Sequence, residues 1–125
     1  ECIENGLFLS CHDISDGGLA TIISEMIMGG DADGEIGAEI NLDFSNLRND
    51  KLLFSETSGF IFEVEDKNTS RLENLFRFYK LHLIKLGKTT KEQNLVVSHK
   101  NKKIISLQIS KLKEAWTRGF VEALE

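Results

Sequence analysis

The sequence predicts an α/β (α+β) fold, a mixed β-sheet with helices packed against it. Three observations carry that expectation. Short apolar or alternating segments recur along the chain, segments with apolar residues three and four apart are interleaved with them, and polar or glycine-containing turns separate the two kinds. The 125 residues suit one core and one domain, spanning 1–125.

The first strand is expected over residues 7–12, where Leu7, Phe8 and Leu9 open an apolar run that stops at Asp13. After Ser15-Asp16-Gly17-Gly18, the positions Leu19, Ile22, Ile23, Met26 and Ile27 define one face of a helix, and Gly29-Gly30 ends it. Asp31-Ala32-Asp33-Gly34 reads as a loop. Residues 36–42 read as a second strand with Ile36, Ala38, Ile40 and Leu42 alternating to one side. A short helix is expected over 47–54, then a polar turn at 55–59, then a strand over 60–65 with Phe60, Phe62 and Val64 on one face.

Ser70 and Glu73 form a capping-box pattern for a helix lined by Leu72, Leu75, Phe76 and Tyr79. Strands are expected at 82–88, 95–99 and 103–109, the last two joined as a hairpin through Lys100-Asn101-Lys102. Ser110 is expected to cap a final helix with Leu112, Ala115, Trp116, Phe120 and Ala123 on one side. No repeat or low-complexity segment interrupts the pattern.

Composition narrows the class of function. Fifteen basic residues against twenty acidic ones give a net charge of −5, which repels a phosphate backbone, so nucleic acid is not an expected partner. Lys100, Lys102 and Lys103 surround a turn and read as solvated. No apolar run reaches the roughly 20 residues needed to cross a bilayer, and no targeting segment is visible at Glu1-Cys2-Ile3-Glu4. Two cysteines without metal spacing fit a reducing, cytoplasmic setting. Cys11 beside His12 raises a Cys/His nucleophile, but neighbours on a strand point to opposite faces, and Cys11 is expected to be a buried small residue. The start without Met leads to the expectation of a piece of a larger chain, with processing of the N-terminus as the alternative.

The stretch with chemical content is His12-Asp13-Ile14-Ser15-Asp16-Gly17-Gly18. It joins a strand end to a helix start through two carboxylates and two glycines. Free N–H groups and the positive dipole end favour an anion there, and glycine admits phosphate oxygens close to the main chain. Asp13 or Asp16 could hold a divalent cation or a ribose hydroxyl, since bare carboxylates repel a phosphate unless a metal or donor intervenes. The alternative is that Ser15 or Asp16 caps the helix while the glycines form a tight turn. The pattern matches neither the Walker phosphate loop nor the dinucleotide fingerprint. Glu56, Thr57 and Ser58 form a second polar turn able to face a ligand, or to serve as a cap.

His12 to Ala20, continued to Glu25-Met26, resembles the signature that opens the C-terminal domain of the phosphoribosylformylglycinamidine synthase family. The resemblance extends through Leu53-Phe54-Ser55-Glu56, the strand from Gly59 to Glu65, Lys85-Leu86-Gly87-Lys88 and Leu112-Lys113-Glu114-Ala115-Trp116. It covers almost the whole chain. Selenophosphate synthetase, thiamine monophosphate kinase, aminoimidazole ribonucleotide synthetase and a hydrogenase maturation protein share the superfamily architecture.

The resemblance implies an aminoimidazole ribonucleotide synthetase C-terminal-like fold. It also implies a parent ligase of purine biosynthesis that uses ATP, Mg²⁺ and glutamine-derived ammonia to turn formylglycinamide ribonucleotide into its amidine. Catalytic groups would lie in domains outside this chain, which would bind the purine-pathway nucleotide together with them. The remaining synthase domains, a glutaminase component and self-association are the implied partners. The substrate or nucleotide-phosphate contacts expected from it are His12, Asp13, Ser15, Asp16, Gly17, Gly18, Glu56, Thr57 and Ser58. Where the family's first half has Glu-Ser-Gln in contact with substrate, this chain has Glu56-Thr57-Ser58.

Overall fold

A computed structural model of the protein describes residues 1–29 and 36–124. The expected loop at Asp31–Gly34, the second glycine of Gly29-Gly30 and the side chain of Phe120 lie outside the described residues. Among the described residues, six strands and four α-helices follow in the order β1 (Ser10–Asp13), α1 (Gly18–Met28), β2 (Gly37–Asn41), α2 (Asn49–Phe54), β3 (Phe60–Glu63), α3 (Thr69–Phe78), β4 (Gly87–Thr90), β5 (Asn94–His99), β6 (Lys102–Gln108) and α4 (Ile109–Leu124).

The strands form two sheets. β1 and β3 make an antiparallel ribbon, and the larger sheet has the order β4-β2-β5-β6. Within it β2 runs parallel to β5, while β4 on β2 and β6 on β5 are antiparallel, so the sheet is mixed as expected. The alternation read in residues 36–42 is realised: Ala38 and Leu42 are buried while Glu39 and Asn41 are exposed. β5 repeats the device with Leu95, Val97 and His99 buried. The apolar face of α1 supplies Leu19, Ile23 and Ile27, which cluster with Ala38, Leu42, Leu95 and Val97 of the sheet side, Leu53 of α2 and Ile109 of α4. Burial of this cluster is the main stabilising term, since each large aliphatic side chain removed from water contributes about 1.5–3 kcal/mol.

Among the described residues, His99 is the one polar or charged side chain that is buried. Its Nε2 lies 2.9 Å from the Ser45 carbonyl oxygen and its Nδ1 lies 2.5 Å from Asn49 Oδ1. Both ring nitrogens thus have polar neighbours, and the loop before α2 is tied to the end of β5. The adjoining two-residue turn, Lys100 and Asn101, has φ of 51° and 61°, the mirror-image turn that suits a hairpin, and Asp43 accepts the Lys100 N–H at 2.6 Å.

Several expectations shift. Residues 7–9 precede β1 rather than belong to it; Leu7 is buried, and Leu9 reaches the ribbon only through its N–H to the Glu63 carbonyl. Cys11 is exposed, not buried, because the register sets it opposite Phe62, on the face of the ribbon that turns away from the core. The strand expected at 82–88 lies at Gly87–Thr90. Its Gly-Lys-Thr-Thr is polar, as an edge strand tends to be, while the more apolar residues before it leave Leu81 and Ile84 exposed.

The capping box at Ser70 and Glu73 is not formed. A 3₁₀ turn at Asp66–Asn68 leads directly into α3, so Ser70 sits inside the helix. Ser110 likewise lies within α4, which starts at Ile109 with its N–H on the Gln93 carbonyl. Leu112 packs on the core, whereas Trp116 of the same expected face is 57% exposed. On β3, Ile61 turns to the core and Phe62 turns away, stacking on Phe8 at 4.3 Å and meeting Phe76 of α3 at 5.7 Å.

Candidate functional site at one end of the two-stranded ribbon

The β1–β3 register pairs Ser10 with Glu63, Cys11 with Phe62, His12 with Ile61 and Asp13 with Phe60. One further hydrogen bond, from the Ile14 N–H to the Gly59 carbonyl at 2.9 Å, extends the pairing past the ladder. The chain therefore leaves β1 and enters β3 at the same end of the ribbon. The two polar turns singled out in the sequence, 12–18 and 56–58, are brought together there.

Their junction is specific. Gly17, immediately before α1, has φ of 84°, and its N–H donates to Glu56 Oε1 at 3.2 Å across 39 residues of sequence. The Gly17 carbonyl accepts from Thr21 Oγ1 at 3.1 Å. Gly18 has φ of 70° and its N–H closes a turn onto the Ser15 carbonyl at 3.1 Å. A Cβ on Gly18 would stand 2.8 Å from the Phe54 carbonyl carbon and the Ser55 oxygen and 3.0 Å from the Leu53 oxygen. The glycine pair is thus explained by a left-handed backbone and by main-chain contact between the head of α1 and the tail of α2.

That geometry accounts for the tight-turn reading of the glycines. Gly18 is buried against the backbone of Leu53, Phe54 and Ser55. Neither Ser15 nor Asp16 caps α1 through its side chain; the carboxylate at the helix head comes from Glu56. His12, Asp13, Ser15, Asp16, Glu56, Thr57 and Ser58 all remain exposed around the junction. The rim is rich in carboxylate and hydroxyl oxygens, a set that accepts hydrogen bonds from ligand hydroxyls or amines, or lends one or two oxygens to a hard cation.

Among the described residues, no three His, Cys, Asp or Glu side chains gather as a metal cage. One or two carboxylates still suit Mg²⁺, which keeps most of its water and is held chiefly by substrate phosphates. The partnership of Glu56 with Gly17 was not readable from sequence. The adjacent glycines flagged a close approach, but nothing local to them points to a residue 39 positions away.

Fold and site together define a mixed-sheet α/β domain whose strand-to-helix turn is locked to a second polar turn. The family described as AIR synthase related protein, C-terminal domain, matches residues 1–100, and the chain belongs to it. The chain is 33% identical to the phosphoribosylformylglycinamidine synthase subunit PurL of Methanothrix thermoacetophila over 124 residues, which is 99% of this chain and 16% of that protein. It is also 32% identical over 111 residues to a probable tegument protein antigen 3 of Alcelaphine herpesvirus 1, covering 89% of this chain and 8% of that one. The chain thus spans a small part of the curated relatives it matches. Among solved structures, Thermotoga maritima PurL complexed with ATP superposes with a TM-score of 0.75 at 21% identity, over 89% of this chain and 20% of that one, a likeness that shows the fold.

Proposed function

We propose that the chain is the C-terminal domain of a multidomain phosphoribosylformylglycinamidine synthase. In such an enzyme ATP phosphorylates the amide oxygen of formylglycinamide ribonucleotide and ammonia displaces the phosphate to give the amidine. The observation that carries the reading is the similarity to a synthase subunit along 99% of this chain. The domain's part is one wall of the site: Asp13, Asp16 and the hydroxyls of Ser15, Thr57 and Ser58 accept hydrogen bonds from ribose or help hold Mg²⁺ against the nucleotide's phosphates. The positive groups needed to clamp transferring phosphate come from other domains.

Exposed apolar side chains flank the wall, with Phe54 58% and Phe60 71% exposed on either side of Glu56–Ser58. Covering such a patch is what neighbouring synthase domains, or a second copy of the chain, would do. A cytoplasmic setting and a glutaminase component supplying ammonia belong to the same proposal; among the described residues no helix is long and apolar enough to cross a membrane. Similarity to a herpesvirus tegument protein favours a second reading, an assembly module that binds no nucleotide. A third, a stand-alone nucleotide-phosphate module, rests on the rim carboxylates.

Calorimetric titration of ATP with Mg²⁺ onto the chain separates the module from the other two. The proposal expects binding no tighter than about millimolar, because one wall supplies few of the contacts that make up affinity. Micromolar binding lost in Asp16→Ala would establish the module instead.

A further inference from the structure

We infer that Glu56 is a positioning residue acting through Gly17, the resident anion at the head of α1, and not a ligand contact. The inference concerns the same two turns as the proposed function, but neither it nor its test depends on nucleotide or turnover. A helix start offers unpaired N–H groups and a partial positive charge, and free phosphate is the usual external occupant of such a place. Here the nearest N–H is already given to a carboxylate of the chain itself, Gly17 N to Glu56 Oε1 at 3.2 Å.

Three features fix this as a built junction. The Gly17 carbonyl is held by Thr21 Oγ1 at 3.1 Å, so this residue is tied through both its N–H and its carbonyl. Gly18 abuts the backbone of Leu53, Phe54 and Ser55, which sets where Glu56 leaves α2. The Ile14 N–H to Gly59 carbonyl bond closes the other side of the loop pair. Glu56 therefore joins the turn carrying Ser15 and Asp16 to the turn carrying Thr57 and Ser58, and its charge closes the helix head to free phosphate. Asp13, Asp16 and Glu56 share the rim with His12, and a second anion entering there meets their charge as well as the lost Gly17 bond.

Solution NMR of the 14.1 kDa chain tests this directly. In the unmodified protein a nuclear Overhauser contact joins the Gly17 amide proton to the Glu56 γ-methylene. Added inorganic phosphate leaves the Gly17 amide resonance unmoved. In Glu56→Ala the Gly17 amide shifts upfield, exchanges about tenfold faster as expected for loss of a hydrogen bond to a charged acceptor, and responds to phosphate. Glu56→Gln keeps an acceptor oxygen and restores the exchange protection, and its Gly17 amide responds to phosphate less than that of Glu56→Ala. Absence of the Overhauser contact in the unmodified protein overturns the inference without any variant. So does a phosphate response of Gly17 that is present in the unmodified protein and unchanged in Glu56→Ala.

Discussion

Replacing Gly18 with alanine is expected to cost roughly 3 kcal/mol or more of folding stability, the sum of a left-handed backbone penalty of about 1–2 kcal/mol and an overpacking penalty of about 1–3 kcal/mol. Both terms apply because φ is 70° and the new methyl would meet three backbone atoms within 3.0 Å. None of those atoms is the free end of a flexible side chain, so relief requires α1 and α2 to separate. The separation carries Glu56 away from Gly17 and splays the two turns. A urea titration followed by far-ultraviolet circular dichroism reads the loss as a lower midpoint at unchanged slope. A loss below about 1 kcal/mol would mean that the helices can part freely, and that the glycine is kept for something other than close approach.

Leu42→Ala is expected to destabilise by about 2–5 kcal/mol. Leu42 is 0% exposed, follows β2, and its N–H bonds the Ser98 carbonyl at 2.9 Å, so its side chain is anchored in the cluster formed by α1, α2, β5 and α4. Truncation leaves a cavity lined by elements that cannot close on it without breaking the β2–β5 register. Leu42→Met, which nearly conserves volume, is expected to cost less than about 1.5 kcal/mol. Chemical denaturation of both variants checks the pair. Equal losses would show that the site does not discriminate shape.

The parts of this fold that were legible in the sequence are those governed by local periodicity. The three-and-four spacing of Leu19, Ile22, Ile23, Met26 and Ile27 gave α1, and the alternation of Ala38 with Leu42 gave the buried face of β2, because burial on one side writes itself directly into residue order. The Lys100-Asn101 hairpin was legible for a similar reason, since asparagine tolerates a positive φ.

What escaped reading depended on partners distant in the chain. Edge strand β4 is polar because only one of its edges pairs, so its sequence lacks the apolar run that drew the expectation to 82–88. Ser70 and Ser110 matched capping chemistry, but the chain enters each helix from an ordered neighbour and leaves no free start there. At the site, the motif His12–Gly18 announced a special turn, yet its occupant, Glu56, was fixed by sheet pairing that a one-dimensional pattern does not encode. The rim residues Asp13, Ser15, Asp16, Thr57 and Ser58 were readable as exposed polar groups at two turns, and only the β1–β3 register placed those turns at one end of the ribbon.

The central claim is that this domain serves a synthase as one wall and cannot carry the reaction by itself. The most direct measurement is production of formylglycinamidine ribonucleotide from formylglycinamide ribonucleotide, ATP, Mg²⁺ and ammonia, followed for the 125-residue chain and for the longer polypeptide that the proposal requires around it. The expected result is no product above background from the chain alone and ATP-dependent product from the longer polypeptide. Product from the chain alone would contradict the division of labour, and no product from either would contradict the synthase assignment and leave the assembly module as the better description.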